Sequence, residues 1–152
     1  MDWYLEHRKD LAAQISCESG DCAFPRYLLA IPTRERLERM LAYLFDEDEF
    51  LSAFGIRSLS RYYKDHPYGL KLDGKELEVR YTPGDSDSWL FGGNSNWRGP
   101  IWFPIAFLII EALRGYHRFY GESLKAEFPT RSGNWLNLEQ CATELSHRMN
   151  GL

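Results

Sequence analysis

A polar and aromatic loop in the second half of the chain holds the side chains best suited to binding a small polar ligand. Asn94 and Asn96 each offer a hydrogen-bond donor and an acceptor, and Arg98 offers a rigid fork of donors. Trp97 and Trp102 add flat apolar faces that can cover the C–H side of a sugar ring. Because amides and a guanidinium bind hydroxyl groups, this set favours a pocket for a neutral polyhydroxylated ligand.

The loop leads into the longest predicted helix, residues 100–120. Gly92 and Gly93 allow positive φ angles or a close approach of the backbone to a partner. Pro100 fits the first turn of a helix, where its missing N–H costs nothing. A broad apolar face follows, and Gly121 ends the helix. The sequence therefore predicts a pocket loop that is held by a core helix.

Three carboxylates near this loop could carry out acid–base chemistry. Asp85 and Asp87 are two residues apart, and Glu111 lies within the apolar helix, where burial would raise its pKa as a general acid requires. The alternatives are aspartates that bind backbone N–H groups in a turn, and a glutamate paired with Arg114 or Arg57. We favour these structural roles, and we assign no catalytic residue.

The composition excludes several classes of function. The net charge is −4 and no basic block is present, which argues against nucleic acid as a partner. The four histidines are scattered and show no metal-ligand spacing, and no phosphate-binding glycine motif is present. We therefore expect neither a metal nor another cofactor.

The sequence is also typical of a cytosolic protein. The longest apolar run, Ile101–Ile110, is about half of the roughly 20 residues that a membrane span needs. The first residues are acidic and aromatic, unlike a signal peptide. Cys17, Cys22 and Cys141 are an odd number without a metal or redox spacing, so we interpret them as reduced thiols. We predict a cytoplasmic location and no membrane partner.

Apolar spacing predicts a mainly α-helical fold with one small β-hairpin. Thr33 and Asn137 are the expected N-caps of two of the helices. Alternating apolar residues on both sides of Asp73-Gly74 predict the hairpin over about residues 70–81. The predicted helices cover residues 2–15, 34–45, 100–120 and 137–150.

Three connecting segments carry further predictions. The acidic run Asp46–Glu49 is interpreted as a solvated helix exit, because a metal site needs a convergence that one sequence cannot show. Residues 55–60 alternate and are predicted to be extended. Residues 122–135 are predicted to form a turn-rich connection.

The run Gly92–Pro104 resembles the signature of glycoside hydrolase family 63, and more closely that of its bacterial glucosidase-like and mannosylglycerate-hydrolase-like members. The similarity covers most of residues 40–140. Its other parts are Asp46–Ser52, Gly55–Tyr63, Asp65–Tyr68, Tyr120-Gly121 and Pro129–Gly133.

The resemblance implies an (α/α)6 toroid, a double ring of helices with the active site at one mouth. Such a ring needs more helices than the four or five predicted here. The chain, residues 1–152, is therefore expected to be a single partial domain from the later part of the toroid. A slice of a closed ring leaves an interface unpaired on each side, so we predict marginal stability, self-association, or association with the remainder of the barrel.

The resemblance also implies a reaction. Family members invert the configuration at the sugar: one carboxylic acid protonates the leaving oxygen and a second carboxylate activates water. In the family the acid lies upstream, and the base downstream, of the part matched here. Neither motif is present, so the chain would contribute part of the pocket and no catalytic group.

The positions that match the family's sugar-binding loop are Asn96, Trp97, Arg98 and Trp102. By resemblance, Trp97 would pack against a sugar face, and Arg98 would hold hydroxyls or brace a catalytic carboxylate. Trp102 would close the pocket floor, with a role as a plain core residue as the alternative.

Two further candidates and one departure complete the set. Asn94 and Arg57 are candidate sugar-binding residues, and for Arg57 a salt bridge is an equal alternative. Ala106 stands where family members commonly carry asparagine. By resemblance, this difference removes an amide that would form a hydrogen bond inside the pocket, which argues against full family activity.

Three hypotheses remain, in order of preference. The first is a segment of a family 63-like inverting hydrolase of α-linked glucosyl or mannosyl substrates, inactive alone. The second is a carbohydrate-binding or assembly module without catalysis, which would pair with another chain and expose apolar patches. The third is a complete small enzyme that uses Asp85, Asp87 or Glu111.

Overall fold

The computed structural model describes residues 2–12, 15–18, 26–84 and 100–151. Within these ranges the chain forms five α-helices and four two-stranded antiparallel hairpins. The helices are α1 (Asp2–His7), α2 (Lys9–Ala12), α3 (Arg34–Leu44), α4 (Phe103–Tyr120) and α5 (Leu138–Asn150). The hairpins are β1 (Ile15–Glu18) with β2 (Arg26–Leu29), β3 (Leu51–Ser52) with β4 (Gly55–Ile56), β5 (Tyr68–Leu72) with β6 (Lys75–Val79), and β7 (Lys125–Glu127) with β8 (Trp135–Asn137).

The core forms where α4 and α5 pack together and α3 joins them through β7. Phe45, at the C-terminal end of α3, is fully buried and packs edge-to-face on Phe128, with 4.8 Å between the ring centroids. The side chains with almost no exposure are Phe45, Leu51, Leu124, Leu138, Cys141 and Leu145.

The predicted caps are confirmed. Thr33 accepts the backbone N–H of Arg36 at 3.4 Å and begins α3. Asn137 accepts the N–H of Gln140 at 2.9 Å, and the Gln140 side chain accepts the N–H of Asn137 at 3.0 Å. This reciprocal capping box satisfies two N–H groups that the first turn of a helix cannot pair.

The prediction of a mainly helical chain is confirmed, but the prediction of one hairpin is wrong. The expected hairpin is present as β5–β6, from Tyr68 to Val79, and three others were missed. The predicted first helix is interrupted at Arg8 and ends at Ala12, before β1. Strands of two to four residues were missed because they are too short to show an alternating pattern.

One missed hairpin, β7–β8, lies in the predicted turn-rich connection and is closed by a carboxylate. Glu127 accepts the backbone N–H of Arg131 at 2.8 Å and that of Gly133 at 2.6 Å. These two N–H groups hold the pKa of Glu127 below its usual value.

The β3–β4 hairpin is hydrogen-bonded to the last turn of α5. Arg148 donates from Nη1 to the Ser52 carbonyl at 2.7 Å. Gly55 has a φ of +118°, and a Cβ there would lie 3.0 Å from Cγ of Met149. A side chain at position 55 would therefore strain the backbone and crowd α5.

The described helices do not close a ring, so the toroid stays a prediction. No helix within the described ranges is long and apolar enough to cross a membrane.

Cys141 on α5 provides a test of the core. It is fully buried, and burial raises the pKa of its thiol from an ordinary value of 9.0 to about 12. A raised folded-state pKa stabilises the fold below pH 9.0, and this contribution is lost as the pH rises towards 12.

We expect iodoacetamide at pH 8 to label the exposed Cys17 and to leave Cys141 unmodified until denaturant is added. Peptide mass spectrometry would measure both; Cys22 lies outside the described residues. Equal labelling of Cys17 and Cys141 in the native chain would contradict the burial of Cys141.

Candidate functional site

Two of the six predicted sugar-binding residues, Arg57 and Trp102, lie within the described ranges. The other four lie outside them, as do the two loop carboxylates. Those six residues are Asn94, Asn96, Trp97, Arg98, Asp85 and Asp87.

Trp102 is positioned by the start of α4. It is the N-cap residue, with extended backbone angles, and its carbonyl accepts the N–H of Ala106 at 2.9 Å. The helix begins three residues later than predicted, because Ile101 forms a β-bridge and Trp102 has extended backbone angles. This arrangement leaves the indole half-buried at the first turn.

Arg57 is brought beside this segment by backbone pairing. Arg57 and Ile101 form an antiparallel bridge, and the Ser58 N–H donates to the Pro100 carbonyl at 2.9 Å. The prediction that residues 55–60 are extended is confirmed from Gly55 to Arg57. The structure thus places Arg57 and Trp102 at one location.

Both residues line a cavity of about 510 Å³ between α3 and α4, which we call the Trp102 cavity. Its volume lies within the range of about 300–1,000 Å³ that is typical of small-molecule sites. Ser58 and Tyr43 contribute hydroxyl groups, and most of the other lining residues are apolar. Those are Met40, Leu44, Phe50, Ile56, Ile105, Ala106 and Ile109.

The guanidinium of Arg57 is held mainly by backbone carbonyls. Nη1 donates to the carbonyl oxygens of Glu47 at 3.0 Å and Glu49 at 3.2 Å, and also to that of Leu51. Nε donates to the Tyr81 hydroxyl at 3.3 Å, and the guanidinium carbon lies 5.7 Å from the centroid of the Tyr81 ring. Arg57 therefore braces the turn at 47–51.

A salt bridge was the alternative role predicted for Arg57. Within the described part of the chain, its acceptors are carbonyl oxygens and a phenol, and no carboxylate pairs with it. A role of Arg57 in binding sugar stays a prediction.

The acidic run after α3 is more constrained than a solvated helix exit. Arg131 donates to Asp46 at 2.6 Å and to Asp48 at 2.9 Å. Ser60, which is buried, donates its hydroxyl to the Glu49 carboxylate. No cluster suited to holding a metal ion occurs among the residues that the structure describes.

Glu111 has the structural role that the sequence favoured. Its carboxylate accepts from Arg114 at 2.8 Å, and Arg114 also lies 3.3 Å from Glu139. The hydrogen bond to Glu111 is the main cause that raises the pKa of Arg114. Glu111 is therefore one partner of an ion pair that joins α4 to α5 through Arg114.

Sequence reasoning missed Tyr81. With Arg57 it lines a second cavity, of about 550 Å³, whose other aromatic walls are Phe54 and Phe103. Tyr81 follows the end of β6, and its N–H donates to the Tyr63 carbonyl at 3.2 Å. Nothing in its sequence position indicated a contact with Arg57.

Comparison with known proteins identifies relatives of this chain by sequence. The sequence profile of the glycosyl hydrolase family 63 C-terminal domain matches residues 7–132. An uncharacterized protein of Saccharomyces cerevisiae is 49% identical over 98% of this chain and 14% of its own length. The mannosyl-oligosaccharide glucosidase of the same yeast is 28% identical over 76% of this chain and 11% of its own length. The chain thus spans a small part of both relatives. No solved structure matches it significantly.

Proposed function

Because the chain belongs to glycosyl hydrolase family 63, we propose that it forms part of the sugar-binding pocket of an inverting glycoside hydrolase. The substrate would be an α-linked glucosyl or mannosyl saccharide. The observation that carries this proposal is the Trp102 cavity, which Trp102 and Arg57 both line and which lies next to the residues that follow the polar loop in the sequence.

The chemistry of the cavity supports a saccharide ligand. Its largely apolar lining suits the C–H face of a pyranose, and the Trp102 indole offers a flat surface at the N-terminal end of α4. The hydroxyl groups of the sugar need donors and acceptors. We assign these to Asn94, Asn96 and Arg98, with Trp97 as a second aromatic wall.

The catalytic groups are assigned to other parts of a longer polypeptide. Inversion needs an acid and a base on opposite faces of the sugar ring. Glu111, the candidate carboxylate inside α4, is paired with Arg114 instead. In the proposed mechanism this chain orients the sugar and excludes water, while carboxylates supplied from outside it transfer the protons. The isolated chain is therefore expected to bind without hydrolysing.

Replacing Trp102 with alanine tests the proposal. We expect the isolated chain to bind methyl α-glucoside or methyl α-mannoside weakly, and Trp102→Ala to reduce that affinity about tenfold through the loss of the aromatic wall. Ligand-detected NMR titration would measure it.

Trp135→Ala is the matched control, because Trp135 is 62% exposed on β8 and does not line the cavity. Sugar binding that survives in Trp102→Ala, or that Trp135→Ala reduces equally, would refute the assignment. So would a wild-type chain that binds neither sugar.

A carbohydrate-binding or assembly module without catalysis is the second candidate. It is favoured by the exposed apolar side chains of α4, such as Phe107 and Leu108, which are 58% and 59% exposed. The two candidates differ in one respect: only the first requires catalytic carboxylates elsewhere in the same polypeptide. A cytoplasmic location is proposed with either.

A further inference from the structure

A cleft between α3 and the β7–β8 hairpin lies apart from the proposed sugar pocket. Its volume is about 270 Å³. Glu38 and Ala42 of α3 line one side, and Glu127 and Trp135 of the hairpin line the other. We call this feature the Trp135 cleft. In the described part of the chain it shares no lining residue with the Trp102 cavity, so the two sites can be tested separately.

The strand register places Trp135 beside a carboxylate. Trp135 and Glu127 are directly opposite each other in the β7–β8 pair, so their side chains lie on the same face of the hairpin. Trp135 is 62% exposed, and Glu127 is half-buried. The cleft therefore presents a flat aromatic surface next to a negative charge.

The charge of Glu127 is stabilised mainly by backbone groups. Its two oxygens accept the N–H groups of Arg131 and Gly133, at 2.8 Å and 2.6 Å. These bonds are the main cause that lowers the pKa of Glu127, and the charge of Arg131 adds a smaller effect. The carboxylate is therefore ionised at neutral pH. Because an ionised carboxylate offers about four acceptor positions, two of them stay open for a ligand.

The basic residues of the hairpin pair with other carboxylates. Lys125, which also lines the cleft, lies 3.5 Å from Glu122. Arg131 donates from its side chain to Asp46 at 2.6 Å. Among the residues that the structure describes, no lysine or arginine forms a salt bridge with Glu127. Glu127 is thus available to a cation from outside these residues.

A second carboxylate lines the opposite side of the cleft. Glu38 on α3 accepts from Nε of Arg34 at 3.0 Å through one oxygen, Oε1. Within the described ranges its second oxygen accepts no hydrogen bond. The Glu38 side chain is 46% exposed, so a ligand in the cleft can reach that oxygen. The cleft thus has an available carboxylate on each side and an indole on one of them.

We propose that the Trp135 cleft binds a guanidinium group, the cation at the end of an arginine side chain. A guanidinium is flat and stacks on an indole, and its fork of N–H donors matches a carboxylate. The volume of about 270 Å³ lies just below the range of about 300–1,000 Å³ that is typical of small-molecule sites. The cleft therefore suits one side chain better than a whole metabolite. This inference goes beyond the proposed function and does not depend on it.

Other ligands fit the Trp135 cleft less well. An ammonium group is a compact, strongly hydrated charge that lacks the flat surface and the fork of a guanidinium. A metal ion needs several converging ligands, and no such cluster occurs among the residues that the structure describes. A neutral sugar could stack on the indole, but it would leave the charge of Glu127 without a partner.

Titration of the Trp135 indole N–H signal by NMR tests this site. The signal is identified as the one that Trp135→Ala removes. We expect N-acetyl-arginine N-methylamide to shift it saturably, with a dissociation constant in roughly the millimolar range, and less at high salt. The citrulline analogue has nearly the same shape and no charge, so we expect it to cause no saturable shift.

Free arginine distinguishes two sources of the guanidinium. Its α-carboxylate would approach the two carboxylates of the cleft, which repel it. Weaker binding of free arginine than of the blocked compound would support a site for arginine within a polypeptide. Equal or tighter binding would support a site for a free guanidinium compound.

Two variants test the two parts of the cleft, with affinity measured by ligand-detected NMR. Trp135→Ala is expected to weaken binding of the blocked arginine about fivefold, because the stacking surface is lost. Glu38→Gln is expected to weaken it by a similar factor, because one of the two carboxylates is lost. Glu127 is left unchanged, because it closes the turn of the hairpin.

Each variant has a matched control outside the cleft. Trp3→Ala removes an indole that is 66% exposed on α1, and Glu76→Gln removes one negative charge from an exposed position on β6. Both should bind like the wild type. Because all four altered side chains are exposed, the melting curves should stay unchanged. If Glu38→Gln does not fold, Trp135→Ala and the citrulline comparison decide the matter.

Four results would overturn the inference. The blocked arginine could fail to shift the Trp135 signal, or the citrulline analogue could bind equally well. Folded Trp135→Ala or Glu38→Gln could bind like the wild type. Finally, methyl α-glucoside could shift the Trp135 signal at lower concentrations than the blocked arginine does.

Discussion

Replacing Phe45 with alanine is expected to lower the free energy of unfolding by about 3–5 kcal/mol. The ring is fully buried at the end of α3 and packs edge-to-face on Phe128. The neighbouring Thr130 N–H donates to the Phe45 carbonyl at 2.9 Å, so the surrounding backbone is fixed and cannot collapse into the cavity left by the ring. Urea denaturation followed by circular dichroism would measure the loss.

Phe54→Ala makes the same chemical change at a half-exposed position, where Phe54 is 48% exposed. We expect it to cost about 1 kcal/mol or less. Equal losses at positions 45 and 54 would mean that Phe45 does not anchor the core.

Replacing Arg57 with methionine is expected to cost about 2 kcal/mol. Methionine retains the apolar stem, but it leaves the carbonyls of Glu47, Glu49 and Leu51 without the guanidinium. Partial access of water to this turn limits the loss. Arg57→Lys should recover only part of it, because an ammonium lacks the planar fork that reaches several acceptors. Thermal and urea unfolding would measure both.

The smaller change Tyr81→Phe serves as the control for Arg57. It removes the hydroxyl that accepts from Nε and keeps the ring, so a loss of about 0.5–1 kcal/mol is expected. If Arg57→Met unfolds like the wild type, the bracing role is wrong and the guanidinium is free to serve the sugar pocket instead.

The helices and strands that could be predicted from the sequence are those whose apolar spacing, caps or turn residues lie within one short stretch of the chain. Helices α3 and α5 follow from apolar spacing together with the caps Thr33 and Asn137. The β5–β6 hairpin follows from alternation around Asp73-Gly74. The β3–β4 and β7–β8 hairpins depend on contacts with α5, and on the carboxylate of Glu127, which are not visible in a short window of sequence.

In the candidate site too, local features could be predicted from the sequence and long-range contacts could not. Trp102 could be selected as a candidate because its residue type and its place at the start of a predicted helix are local features, and its role in binding sugar stays a prediction. The pairing of Arg57 with Ile101 and with Tyr81 could not, because it joins segments that are distant along the chain. The apolar face of α4 was predicted to be buried, yet two of its residues, Ile105 and Leu108, are 40% and 59% exposed. Periodicity shows which side of a helix is apolar and not what covers that side.

The bonds of Arg57 also determine which positions in this region are free to vary. Three of its acceptors are main-chain carbonyls, which every residue type provides. A change of side chain at position 47 would therefore leave these bonds intact, while position 51 is restricted by the burial of Leu51 in the core and position 57 needs arginine. Tyr81 is the one acceptor that depends on a side chain. These bonds thus restrict the residue type at two positions, 57 and 81. We expect the residues at these two positions to change together or not at all as the sequence diverges.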